Sequence, residues 1–112
     1  MTAYEFGDVV LVSFPFTNQA ERKSRPAIVV SGKAYQDQHP DVVLVAVTSR
    51  VREKPTFGEF KIEKWESAGL FKPSMVKPVF TTVEREMIRK RLGRLAERDR
   101  AALRKTIEQV FS

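Results

Sequence analysis

The stretch Gly7-Asp8-Val9-Val10-Leu11-Val12-Ser13-Phe14-Pro15 decides how the rest of the chain is read. Its apolar, β-branched run is too short for a helix. A Gly-Asp pair and a proline bound it, so it reads as a buried strand, Val9 to Phe14. Downstream the pattern returns in Ala27-Ile28-Val29-Val30-Ser31, with Pro26 tolerated only at its start. A third run, Val42 to Thr48, is apolar on both faces. Gly58-Glu59-Phe60-Lys61-Ile62 alternates, which predicts a strand with one wet face. Met75 to Thr81 is the fifth strand, and its Pro78 must sit at an edge or a bulge because it donates no hydrogen bond. Arg91 to Leu95 makes a short sixth.

The connections are too short for full βαβ crossovers, so most pairings are expected to be antiparallel. One helix is clear, Glu97 to Phe111, in which Leu103, Ile107 and Val110 recur at helical spacing with Phe111 beside them. Glu97 and Asp99 suit the positive end of its dipole, whereas Ala96 cannot cap it. The fold class is therefore α+β, mainly β with a C-terminal helix. A small SH3-like antiparallel barrel is the economical architecture. With 112 residues, the chain is expected to form a single domain, residues 1–112.

Composition narrows the function. The net charge is +6 and the pI about 9.9. Cations crowd the segment from Arg85 to Lys105, where Arg outnumbers Lys, and the planar guanidinium fork suits phosphate. A polyanion partner is the expectation, against the plainer reading of solubility charge. There is no cysteine, which removes disulfides, thiol catalysis and Cys-based zinc sites. No secretory leader and no apolar run near bilayer length are read, so a cytoplasmic location without membrane contact is expected.

The one histidine, His39, lies in a polar segment, so a two-histidine acid–base nuclease is excluded. The strand cores carry one carboxylate, Glu59, and the chain has no HExxH, Walker or GxSxG motif. A nuclease built from these residues is expected to use no metal and no cofactor.

What remains is a long segment from Pro15 to Arg25 and a pair of hydroxyls at the end of the third strand. Pro26 biases Arg25 towards extended backbone. RNA cleaves itself when a 2′-OH attacks the adjacent phosphorus, and a catalyst must align the attack, move protons and neutralise the phosphorane. Arg25 is a candidate for neutralising that charge, which is usually the largest catalytic term. Thr48 and Ser49 can donate to phosphate oxygens, although such hydroxyls commonly satisfy local backbone instead. Glu21 is a candidate base, against a plain ion pair with Arg22 or Lys23. Phe16 and Trp65 sit in polar surroundings and are the preferred rings for stacking single-stranded bases, ahead of Phe14, Phe57 and Phe71.

Four motifs in order resemble the MazF/PemK toxin family: Gly7–Phe14 as its opening strand, Ser24-Arg25-Pro26-Ala27 leading into its second, Ala46-Val47-Thr48-Ser49 closing its third, and Leu92-Gly93-Arg94-Leu95 before an amphipathic terminal helix. The resemblance implies a CcdB/PemK-type barrel acting as a homodimer. It implies an endoribonuclease of the mRNA interferase type, metal-independent, cutting single-stranded RNA at a short sequence to a 2′,3′-cyclic phosphate. It implies Arg25 and Thr48 as catalytic residues, and substrate contacts from the first loop, including Thr17, Asn18, Arg22, Lys23 and Ser24. It also implies a cognate antitoxin whose acidic, disordered tail binds the toxin. Phe80-Thr81-Thr82 stands where some members carry an Asp. Two other functions fit such a barrel. One is a CcdB-like gyrase poison, which uses a terminal Trp-Gly-Ile where this chain ends Gln109-Val110-Phe111-Ser112. The other is a non-catalytic RNA-binding barrel.

Overall fold

The computed structural model describes residues 3–15 and 22–112. Its elements follow the order β1 (Asp8–Pro15), β2 (Arg22–Val29), α1 (Lys33–Gln38), β3 (Asp41–Thr48), β4 (Phe60–Lys61), β5 (Met75–Glu84), a 3₁₀ turn (Arg85–Met87), β6 (Ile88–Arg94) and α2 (Glu97–Phe111). The six strands form one sheet in the order β4-β5-β3-β2-β1-β6. Every pairing is antiparallel, as the short connections require.

The central strands read as continuous apolar runs because both faces of the sheet are covered. Val9, Ile28, Val45 and Val76 bury one face against Leu95 and Leu103 and against Ile62, Ala68 and Leu70 of the β4–β5 connection. Their alternates Val10, Val12, Ala27, Val29, Val42 and Leu44 pack on the other face with Tyr4 and Ile88. Side chains that alternate across a pleat give two cores from one run.

Several boundaries differ from the sequence reading. β2 begins at Arg22, so Lys23, Ser24 and Arg25 belong to a strand paired with β1 and not to a loop. β4 is only two residues long. β6 starts at Ile88, ahead of the expected Arg91. The α1 helix was not expected, because polar contacts fix it where no apolar repeat exists. Its buried Gln36 accepts from the Tyr4 N–H at 3.1 Å and donates to the Ser31 carbonyl at 3.1 Å. Pro78 lies at a bulge: the β3–β5 register shifts between Val45↔Phe80 and Ala46↔Lys77, leaving Pro78 and Val79 outside the ladder.

The sheet curls but does not close by hydrogen bonding into a complete barrel. Its two edges are joined by packing. The chain after β4 lies on β6 so closely that a Cβ on Gly69 would strike the Leu92 carbonyl, and one on Gly93 the Ala68 carbonyl. Gly69 also adopts φ +88°, open to glycine at no steric cost.

This connection is tethered from α2. Asp99 is 1% exposed, and its two carboxylate oxygens accept the backbone N–H groups of Glu63 at 3.0 Å and Lys64 at 2.9 Å. No side chain caps α2, as Ala96 led one to expect, so Asp99 in the first turn serves the neighbouring loop. Replacing Asp99 by Ala strands two part-buried donors. Asp99→Ala is expected to lower unfolding stability by about 2 kcal/mol in urea denaturation; an unchanged midpoint would show that this tether carries no stability.

Candidate nucleic-acid cleft

Register brings the first two site residues together. β2 pairs with β3 through Ala27↔Ala46, Ile28↔Val45 and Val29↔Leu44. Continuing that register by two residues sets Arg25 opposite Thr48. The ladder itself stops at Ala27, next to Pro26, which has no N–H to give. There the surface opens into a cleft of about 320 Å³.

Ser24, Arg25 and Pro26 form one wall of the cleft, and Val47, Thr48, Ser49 and Arg50 form the next. Leu70, Phe71, Lys72 and Ser74 supply a third, while Leu11 and Leu92 provide apolar lining. The cleft thus combines three cations, four hydroxyls and one aromatic ring. Thr48 Oγ1 accepts the Arg50 N–H at 3.1 Å, which turns the chain at the end of β3. A hydroxyl that accepts there keeps its own proton to donate to a ligand. Ser74 Oγ donates to the Lys72 carbonyl at 2.9 Å and shapes the third wall.

Of the residues singled out in the sequence, Arg25, Thr48, Ser24 and Ser49 line this cleft together. Phe16, Thr17, Asn18 and Glu21 lie outside the described residues. Arg22 and Lys23 have their backbone in β2, opposite Pro15 and Phe14. Trp65 is not brought to the cleft: it is half-buried against the core, and its carbonyl accepts the Leu70 N–H at 3.1 Å. Phe71 holds the lip instead, 82% exposed. Arg50, Lys72 and Ser74 were not singled out. The available signal was position, since Arg50 follows Thr48-Ser49 directly and Lys72 to Ser74 precede β5.

The Arg-rich segment from Arg85 to Lys105 is largely engaged inside the protein. Arg85 donates to the Gln36 carbonyl at 2.7 Å, and Arg100 to that of Leu95 at 2.7 Å. Arg94 pairs with Glu5 at 2.7 Å and with the buried Asp8 at 3.2 Å; Arg91 reaches the same Asp8 oxygen at 3.3 Å. Bonds from Glu5 and Asp8 raise the Arg94 pKa further above its already high value, opposed by burial. Arg98 meets Glu63 at 3.5 Å, and Arg104 lies 4.7 Å over the Phe6 ring. The cations that face the cleft come from β2, the end of β3 and the β4–β5 connection.

Among the described residues, no three His, Asp or Glu side chains are grouped to share a metal ion. Among the same residues, no helix is long and apolar enough to cross a membrane.

The sequence matches the profile of the PemK-like, MazF-like toxins of type II toxin–antitoxin systems over residues 5–111. The chain belongs to that family. Solved structures of MazF toxins share its fold. A mycobacterial endoribonuclease in complex with its cognate antitoxin superposes with a TM-score of 0.76 at 15% identity, over 99% of this chain and 95% of that one. MazF of a MazE–MazF structure from Deinococcus radiodurans gives 0.75 at 18% identity, over 100% and 98%. The Mycobacterium tuberculosis toxin MazF-mt6 gives 0.72 at 19%, over 93% and 95%. At these identities the likeness speaks for the fold. No curated protein sequence matches the chain.

Proposed function

We propose that this MazF/PemK-family toxin is a metal-independent endoribonuclease that cuts single-stranded RNA at a short sequence. The observation that carries the reading is that Arg25 and Thr48 line one cleft, at the open end of the β2–β3 ladder. Relatives of the same fold named as endoribonucleases support it.

In this mechanism the RNA supplies its own nucleophile. The 2′-oxygen bonds to phosphorus as its proton leaves to a base, the P–O5′ bond breaks, and the departing 5′-oxygen takes up a proton. The products are a 2′,3′-cyclic phosphate and a 5′-hydroxyl end. The Arg25 guanidinium offers a planar pair of donors to the phosphorane oxygens and neutralises the charge that grows there. Thr48 donates its hydroxyl proton to a non-bridging oxygen. Arg50 and Lys72 hold the strand by charge, and Ser24 and Ser49 add neutral donors. Glu21 is the candidate acceptor of the 2′-proton. The donor set requires no metal to balance the phosphorane, because three cations already line the cleft.

The active species is a homodimer, and the partner is an antitoxin with an acidic tail that competes for the RNA-binding surface. The toxin–antitoxin complexes among its structural relatives support the second point, and the net charge of +6 complements such a tail.

The test is cleavage of a long single-stranded RNA in excess EDTA, with product ends mapped. Wild type is expected to give discrete cuts ending in cyclic phosphate, and Arg25→Ala to lower kcat by about 10²- to 10³-fold with its fold intact. Equal cutting by Arg25→Ala would overturn the assignment; no cutting by wild type would favour a gyrase poison or a non-catalytic RNA binder. Light scattering at micromolar concentration is expected to give twice the chain mass, and a single-chain mass would remove the dimer.

A further inference from the structure

A second pocket adjoins the cleft. It measures about 290 Å³, and Thr48 and Arg50 line both hollows, so the two share a wall. Its other polar lining is Arg52, Glu59 and Lys77.

The pocket is assembled from three segments. After β3, the Thr48–Arg50 turn swings the chain across the start of β5, where the Arg52 N–H meets the sulfur of buried Met75 at 3.4 Å. Lys77 stands on β5 opposite Ala46, on the near side of the bulge. Glu59 enters just ahead of β4, with its side chain only 5% exposed. Its carboxylate accepts the Thr56 N–H at 2.9 Å and lies 4.0 Å from Arg52 Nη2. The Thr56 N–H holds this carboxyl below the usual range, opposed by burial and helped by Arg52 and Lys77, so Glu59 is anionic at neutral pH.

Arg50, Arg52 and Lys77 against Glu59 leave two net positive charges around a hollow next to Thr48. The single carboxylate is anchored to a backbone N–H and stands beside Arg52, which steadies the wall while leaving the net charge positive. A group that fits is a phosphodiester: arginine offers it a fork, lysine a point charge. A strand that lays its reacting phosphate on Arg25 and Thr48 and runs on across Thr48 and Arg50 carries a neighbouring phosphate over the shared wall.

We propose that this pocket is a second phosphate subsite, in which Arg50, Arg52 and Lys77 grip a phosphate flanking the one that is cut and so fix the register of the strand. The proposal rests on the ribonuclease reading of the cleft. Contacts of this kind position the chain without reading bases.

The test uses short RNAs spanning one mapped cut, each with a single neutral methylphosphonate at one flanking position. They are cleaved by wild type, by the Arg52→Ala/Lys77→Ala pair, and by the charge-keeping pair Arg52→Lys/Lys77→Arg. Cleavage of the unmodified RNA by wild type reports on the ribonuclease reading; if it fails, the subsite falls with that reading. With that reading intact, one flanking methylphosphonate is expected to raise the wild-type KM about tenfold at nearly constant kcat. The alanine pair is expected to show a similar rise on unmodified RNA and indifference to that methylphosphonate, a coupling that marks direct contact. The charge-keeping pair is expected to recover most of the KM. The subsite is overturned if the alanine pair cleaves unmodified RNA like wild type, even if it weakens binding of an acidic antitoxin peptide. It is also overturned if the loss is the same with every methylphosphonate.

Discussion

The pairing of β2 with β3 is the constraint on which the site depends. Its ladder runs from Val29↔Leu44 to Ala27↔Ala46 and ends where Pro26 removes a donor. Up to that point the two strands share both cores; beyond it the cleft begins, with Arg25 and Thr48 at corresponding positions on either side. A slip of one residue would exchange Ile28 and Val45 with their alternates between two close-packed cores of different shape, so the packing of both cores keeps the register that brings the two polar residues to one cleft. Each fully buried aliphatic side chain contributes about 1.5–3 kcal/mol to the fold relative to an exposed one.

The third wall is held by different means. Asp99 on α2 grips the backbone at Glu63 and Lys64, and the Gly69–Gly93 approach seats the following residues against β6. These contacts deliver Leu70 to Ser74 to the cleft mouth, including the exposed Phe71 and Lys72. Exposure of a large ring at the rim of a basic cleft suits base stacking, the role that the sequence reading gave to Trp65.

How much of this was legible follows from which interactions leave a pattern in the chain. The bounds of α2 and the β3 strand followed from periodicity, and the missing proline donor limited Pro78 to an edge or a bulge, of which the structure has the bulge. Arg25 and Thr48 were legible as residues fixed at strand ends, and the structure sets both in one cleft. The α1 helix was not legible, because Gln36 anchors it through hydrogen bonds that have no period. Nor was the employment of the arginines. Charge counting cannot tell Arg94, paired with Glu5 and Asp8, from Arg50, which lines two pockets. Trp65 stands in a polar stretch yet packs on the core, since its neighbours face outwards while it alone turns in.

If Arg25 and Thr48 act on the same phosphoryl group, their contributions to cleavage are coupled. A double-mutant cycle on cleavage rate, using Arg25→Ala, Thr48→Val and both together, measures this directly. Strong non-additivity is expected, with the double variant scarcely slower than Arg25→Ala alone. Rate losses that simply multiply would mean that the two residues act independently, and would contradict a shared site at the end of the β2–β3 ladder.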